Sequence, residues 1–330
     1  MNANISANMT AINTIRTWLA VALLAAAGVA AAQAFPSKPI RLLVGAPAGG
    51  TTDTLARSIA AEMTRTLGQA VVVESRAGAG GNIAAEAIAK SPPDGYNLLV
   101  SFTSHTINAS LYKSLPFDPL LDFTPISMIA TVPSLLVGNP AVPASDLKAL
   151  LALARAKPGK LNFAIGALGS SLHMASDLLK MQAGVFIVNI PYRGTAPALT
   201  DVIAGQVELM FISTVTGMQQ VKAGKLRAYG VTSAKRLPAF ADIPAISEVV
   251  PGFESNAWFG VFGPARLPPE LVRILNDAVA KAVHSPDMKK RLELEGAVPV
   301  GNSSADFSAF VREDLRRWAP VVKYSGAKPE

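Results

Sequence analysis

Short apolar runs rich in branched residues alternate along this chain with stretches whose apolar residues recur every three or four positions. From 36 to 101 the alternation predicts strands over 40–44, 70–74 and 96–102. Between them, Leu55, Ile59, Met63 and Leu67 give one helix a single buried stripe, and 82–90 reads as a second helix stopped by Ser91-Pro92-Pro93-Asp94-Gly95. The stretch 116–125 breaks the pattern, and 126–137 reads as a long extended passage. A second series then predicts helices over 144–156, 172–181, 196–204 and 216–223, with strands over 161–165, 186–190, 207–212 and 226–231. After a proline-punctuated stretch comes another extended run, 257–262, and then helices over 269–284, 286–295 and 304–324. Alternation of this kind defines an α/β fold with parallel strands. Two extended passages around a self-contained middle suggest two lobes joined by two crossing strands, with the C-terminal helices returning to the first lobe. A single doubly wound sheet is the competing architecture.

One motif occurs twice in this frame. An apolar strand ending at Val44 leads into Gly45-Ala46-Pro47-Ala48-Gly49-Gly50-Thr51-Thr52-Asp53 and then a helix. A strand ending at Ile165 leads into Gly166-Ala167-Leu168-Gly169-Ser170-Ser171 and then a helix. Glycine lets backbone amides approach a ligand closely, and a helix start adds unpaired donors and partial positive charge. One such turn is a weak anion site. Two of them on facing lobes would hold a small carboxylate without a cationic side chain.

Composition narrows the class. Of 330 residues, 50% are hydrophobic and 16% charged, enough for a sizeable core in two domains. Residues 1–34 read as an export signal: Arg16 is their sole charge, an apolar run follows it, and Ala32-Gln33-Ala34 has the form of a cleavage site, with translation starting at Met1 or Met9. A membrane anchor is the alternative reading of that segment. Loss of Arg16 lowers the formal charge of +7 by one. The remaining charges are scattered and no basic run is interleaved with aromatics, which argues against nucleic acid. Cysteine is absent, excluding disulfides and thiolate metal sites and suiting an oxidising compartment.

A set of short motifs in order makes the chain recognisable: Pro36-Ser37-Lys38-Pro39-Ile40-Arg41, Ala48-Gly49-Gly50-Thr51-Thr52-Asp53, Gly78-Ala79-Gly80-Gly81-Asn82 and Pro93-Asp94-Gly95-Tyr96. Later come Lys157-Pro158-Gly159-Lys160, Pro191-Tyr192-Arg193-Gly194-Thr195-Ala196-Pro197, Ala223-Gly224-Lys225-Leu226, Val231-Thr232-Ser233 and Trp258-Phe259-Gly260. The series resembles the Bug-type extracytoplasmic solute receptors of tripartite tricarboxylate transporters. That resemblance implies a type II periplasmic-binding-protein fold, with lobes formed by 35–132 plus 251–330 and by 133–250, a two-strand hinge and a cleft between. It also implies a monomeric periplasmic receptor, cut after Ala34, that passes a small carboxylate to a two-subunit integral membrane permease, with no catalysis, cofactor or nucleic acid. In such receptors the carboxylate is held by backbone amides, hydroxyls and ordered water.

The ligand-binding set read from the two loops and the family match is Ala46, Ala48, Gly49, Gly50, Thr51, Thr52, Asp53, Ser104, Gly169, Ser170, Ser171, His173, Tyr192, Gly194, Thr195 and Ser213. Asp53 is expected to cap helix amides and fix its loop, since a carboxylate beside an anion is unfavourable; an ammonium on the ligand would give it a direct role. His173 could donate to a carboxylate, its charge tuned by pH. Arg193 is expected to pair with Asp201 or Glu208 as a surface salt bridge, a distal carboxylate being the alternative partner. Ala46 stands where the family usually has an aromatic residue and Ile212 where many relatives have aspartate, so no relative's ligand transfers directly. A secreted hydrolase or lyase would use Ser170 or Ser171 with His173, but no G-x-S-x-G elbow is present. A ligand-sensing subunit of a membrane kinase would share the fold. The glycines of 78–82 lack the third glycine of a dinucleotide fingerprint and read as a packing turn. The three histidines have no metal-ligand spacing, and no metal is expected.

Overall fold

The computed structural model describes residues 35–294 and 296–329. The expected export signal and its expected cleavage point after Ala34 lie outside the described residues. From Pro39 onward the chain is one compact unit, and no described helix is long and apolar enough to cross a membrane.

The first series is β1 (Ile40–Val44), α1 (Thr51–Leu67), β2 (Val71–Ser75), a 3-10 turn at Ala79–Gly81, α2 (Asn82–Ala89), β3 (Asn97–Phe102) and α3 (Ser104–Leu111). Next come β4 (Phe123–Val132) and β5 (Ser134–Gly138), separated by Pro133 alone. The second series is α4 (Leu147–Ala156), β6 (Asn162–Ile165), α5 (Ser171–Ala183), β7 (Val188–Pro191), α6 (Thr195–Ala204), β8 (Leu209–Ser213), α7 (Thr214–Lys222) and β9 (Arg227–Val231). The chain closes with β10 (Ala257–Pro264), α8 (Pro269–Val283), α9 (Pro286–Leu294), β11 (Val298–Pro299) and α10 (Ser304–Ser325). Leu55, Ile59 and Met63 of α1 are buried as their spacing requires, and Gly68, left-handed at φ 69°, ends that helix. Helix α4 starts three residues later than the apolar pattern suggests. Asp146 caps it there, accepting the Ala149 N–H at 2.8 Å.

Two sheets form, not one. Their strand orders are β11-β4-β10-β3-β1-β2 and β7-β6-β8-β5-β9. β1 is parallel to β2 and β3, and β6 is parallel to β7 and β8. The strands on the crossing passages are antiparallel to their neighbours: β10 lies between β3 and β4, and β5 between β8 and β9. The chain thus passes between the sheets twice, through Pro133 and through 232–256. Hydrogen bonds tie the passages together. Buried Thr232 accepts the Ser134 N–H on its hydroxyl at 2.8 Å and donates its own N–H to the Ser134 carbonyl at 2.9 Å. Its hydroxyl also reaches Asn256 Oδ1 at 3.2 Å.

The C-terminal helices do not all return to one side. Phe307 and Val311 of α10 pack with Leu99, Trp258 and Phe262 around the first sheet. Two and three turns on, Trp318, Val321 and Val322 pack with Phe163, Leu178 and Leu179 beside the second. Between them, buried Asp314 accepts hydrogen bonds from Thr106 Oγ1 (2.6 Å) and Trp258 Nε1 (2.8 Å).

Candidate functional site

In the first sheet the strand order reverses at β1: β2 lies on one side of it and β3 on the other. The chain therefore leaves the carboxyl ends of β1 and β3 in opposite directions, and such a switch point leaves a crevice between the departing loops. The loop 45–50 follows β1, and Ser104 opens the helix after β3. The second sheet repeats the arrangement around β6, flanked by β7 and β8. The loop 166–170 leaves β6, Ser213 ends β8, and Tyr192–Thr195 leads from β7 into α6. Every loop singled out from sequence stands at the carboxyl end of a strand beside one of the two switch points.

The first turn is held by Asp53. Gly49, left-handed at φ 82°, donates its N–H to Asp53 Oδ2 at 3.0 Å. The same carboxylate receives Arg57 Nε (2.9 Å), Arg57 Nη2 (3.0 Å) and Ser75 Oγ (2.8 Å). Chiefly through the Arg57 hydrogen bonds, and against burial, its pKa is lowered to about 2. Asp53 thus fixes the loop as expected, but by taking an amide outside the helix rather than by capping α1. The helix begins at Gly50 with no side-chain cap. Ala46 is buried, whereas Ala48, Gly49 and Gly50 are exposed, Thr51 is half-buried and Thr52 buried.

The second turn is held by His173. Gly169, at φ 72°, donates its N–H to His173 Nδ1 at 2.9 Å. With Nδ1 accepting, the ring proton is on Nε2, which lies 3.1 Å from Asp177 Oδ2. Burial opposes ionisation of Asp177, but His173 and Lys180 (Nζ at 2.6 Å) hold it below the usual carboxylate range. Ser170 caps α5, accepting the His173 N–H at 3.2 Å while its hydroxyl donates to the Ala167 carbonyl at 2.8 Å. His173 is only 3% exposed and both its nitrogens are occupied within the protein. The ring faces inward and supports the loop. No serine hydroxyl bonds the ring, so the Ser–His nucleophile geometry is absent among the described residues. Ser171 is half-buried at the helix start.

Tyr192 and Gly194 are laced to this turn through backbone bonds to the Ile165 and Gly166 carbonyls, at 2.8 and 2.9 Å. The Tyr192 hydroxyl donates to Asp201 at 2.7 Å, and burial together with that carboxylate pushes its pKa up to about 12. Glu208 is taken by the Asn162 N–H and side chain at 2.8 and 2.9 Å. Both carboxylates expected for Arg193 are thus engaged elsewhere, and Arg193 is exposed and forms no ion pair among the described residues. Thr195 is exposed; half-buried Ser213 caps α7 at Thr216.

A cavity of about 290 Å³ lies where the two series meet. Ala79, Gly80, Ser104, Asn108, Leu111 and Tyr112 line it from the first, and Leu168, Gly169 and Ser170 from the second. It gathers Ser104, Gly169 and Ser170 from the candidate set and not Ala46, Ala48–Asp53, Ser171, His173, Tyr192, Gly194, Thr195 or Ser213. Ala79, Gly80, Asn108 and Tyr112 were missed. The glycine-rich run had been read as a packing turn, and it is one: a Cβ on Gly45 would sit 2.7 Å from Gly81 Cα. The same run turns Ala79 left-handed at φ 47° and puts the Gly80 carbonyl 3.2 Å from Asn108 Nδ2. Two other hollows, about 300 Å³ beside Asn139 and Glu208 and about 790 Å³ between α1 and α9, contain none of the candidate residues.

Two α/β lobes with glycine turns at paired switch points define a periplasmic-type solute-binding receptor. Residues 55–327 match the model of the tripartite tricarboxylate transporter family receptor, TctC. The chain is 37% identical over 311 residues to protein BugT of Bordetella pertussis, covering 92% of this chain and 95% of that one. An R. palustris protein solved with adipate is 38% identical with a TM-score of 0.73, over 90% of this chain and 100% of that one. MatC of Rhodopseudomonas palustris, solved with bound malate, is 34% identical with a TM-score of 0.70, over 87% of this chain and 100% of that one. The chain belongs to the TctC family, whose members are periplasmic solute receptors and not enzymes.

Proposed function

We propose that the mature chain captures a small carboxylate between its lobes and presents it, chemically unchanged, to a two-subunit membrane permease. The lobes are 35–132 with 251–330, and 133–250; the export signal ends at Ala34. Ligand oxygens are held by amides and hydroxyls at Ala46, Ala48, Gly50–Thr52, Ser104, Ser170, Ser171, Thr195 and Ser213, while Gly49, Gly169, Tyr192 and Gly194, whose N–H groups are taken within the protein, line the site. Asp53 and His173 act behind them. The observation that carries this reading is the placement of both glycine turns at the carboxyl ends of strands flanking a switch point in each sheet. Its support in ligand chemistry is that relatives were solved with adipate and with malate.

The test is a thermal-shift screen of mono-, di- and tricarboxylates including both acids. A ligand at 100 times its Kd adds roughly 2.7 kcal/mol of stability. Thr51→Ala with Ser171→Ala is expected to weaken the best ligand at least about tenfold by calorimetry, the loss of roughly 1.4 kcal/mol. A panel without a single shift, or unchanged affinity in the double variant, would reject the reading.

A further inference from the structure

The two turns share more than glycine. Gly49 and Gly169 are both left-handed, and each donates its N–H to a side chain four residues on. In each case that acceptor is the third residue of the following helix: Asp53 in α1, His173 in α5. Each acceptor is steadied by the side chain four further on, Arg57 for Asp53 and Asp177 for His173. A polar side chain from the next strand braces each pair: Ser75 of β2 donates to Asp53 at 2.8 Å, and Asn189 Nδ2 of β7 donates to Asp177, the partner of His173, at 3.0 Å. The residue identities differ at every layer while the geometry repeats.

We infer that Asp53 and His173 are matched positioning residues: each holds the amide of its glycine, sets the turn that faces the bound carboxylate, and does not touch the ligand. The inference rests on the reading that those turns face the ligand. Glycine permits the close approach, but it populates both signs of φ and cannot hold a turn by itself. A side-chain acceptor supplies the rigidity, and a turn fixed before binding loses less entropy on capture. Neither acceptor has capacity left for a guest. Asp53 receives four donors and its side chain is 4% exposed. His173 uses both nitrogens internally.

Asparagine separates this role from direct contact. Its Oδ1 stands as many bonds from Cα as a carboxylate Oδ of aspartate or Nδ1 of histidine, so Asp53→Asn and His173→Asn keep an acceptor in place. Alanine removes it. On the mature protein without ligand, amide hydrogen exchange read by NMR is expected to quicken at least tenfold at Gly49 in Asp53→Ala and at Gly169 in His173→Ala. The asparagine variants should stay within threefold of wild type. Calorimetry with adipate and with malate should rank the variants in the same order. Equal losses in the asparagine and alanine variants, or glycine amides unprotected in the wild type, would overturn the inference. Should an alanine variant not fold, Ser75→Ala and Asn189→Ala loosen the same side chains from the strand side and should quicken the same glycine at least threefold; no change there overturns it too. If the wild type binds neither acid, the choice of carboxylate fails, while the exchange order still decides whether these side chains hold the turns.

Discussion

His105 shows how a single buried polar residue shapes the behaviour of the whole chain. It lies against Phe117, Phe123 and Phe262, and its Nε2 donates to the Pro119 carbonyl at 2.8 Å. Its Nδ1 is buried without a partner, and burial lowers the pKa to about 4. The unfolded chain takes up a proton near the ordinary value of 6.5, whereas the folded chain resists until about 4. Stability is therefore full above 6.5 and falls as pH drops toward 4, by about 3 kcal/mol. His105→Phe should flatten that slope when melting temperature is followed from pH 7 to 4. Asp53 and Asp177, whose pKa values are depressed, lose their contributions only further into acid. At this scale the sequence was readable over one helical turn and little further. Arg57, four residues from Asp53, was within reach of pattern reasoning. Ser75, 22 residues away, became a partner only once β2 lay parallel to β1. Glu208 likewise meets Asn162 only because β6 pairs with β8, and Asp201 is taken by the Tyr192 hydroxyl, so neither was left for Arg193.

Among the elements, the alternating strands and helices of both series were legible because each carries its own apolar period. Helix α3 was not. Thr, Ser, His and Asn fill it, and these are middling to poor helix formers. It is stabilised instead from outside: Thr103 Oγ1 accepts the Trp258 N–H at 2.9 Å, Thr106 bonds Asp314, and Asn108 bonds Gly80 and Asn82. That helix supplies Ser104, Asn108 and Leu111 to the cavity, so Asn108 and Leu111 went unread with it, whereas Ala79 and Gly80 come from the glycine turn. Asp314 joins α3, β10 and α10, and burial raises its pKa above the usual carboxylate value. For an acid this means that stability is greatest below the unfolded pKa and declines as pH rises through the folded one. Asp314→Asn keeps an acceptor and removes the buried charge, so urea denaturation at pH 7 should find it at least as stable as the wild type. Asp314→Ala leaves Trp258 Nε1 unpaired, while Thr106 Oγ1 keeps the Thr103 carbonyl at 2.9 Å, and should cost on the order of 2 kcal/mol.

For the whole molecule, the two extended passages were visible as apolar runs, but not that their strands would pair side by side in each sheet. That pairing places Ser134, Thr232 and Asn256 together where the chain crosses, and any lobe motion must be absorbed at Pro133 and within 232–256. Thr232 is the fastener between the two passages. Valine has nearly its shape but cannot accept the Ser134 N–H, and an unsatisfied buried donor costs about 1–3 kcal/mol. Thr232→Val should therefore lose that much unfolding free energy in urea. If the fastener also limits how far the lobes separate, unliganded Thr232→Val should show a larger radius of gyration by small-angle scattering than unliganded wild type. With a saturating carboxylate from the thermal-shift screen, the two proteins should converge, because ligand contacts on both lobes then set the closed geometry. Lowered stability with an unchanged unliganded radius would confine Thr232 to local packing and shift control of opening to the longer passage, 232–256.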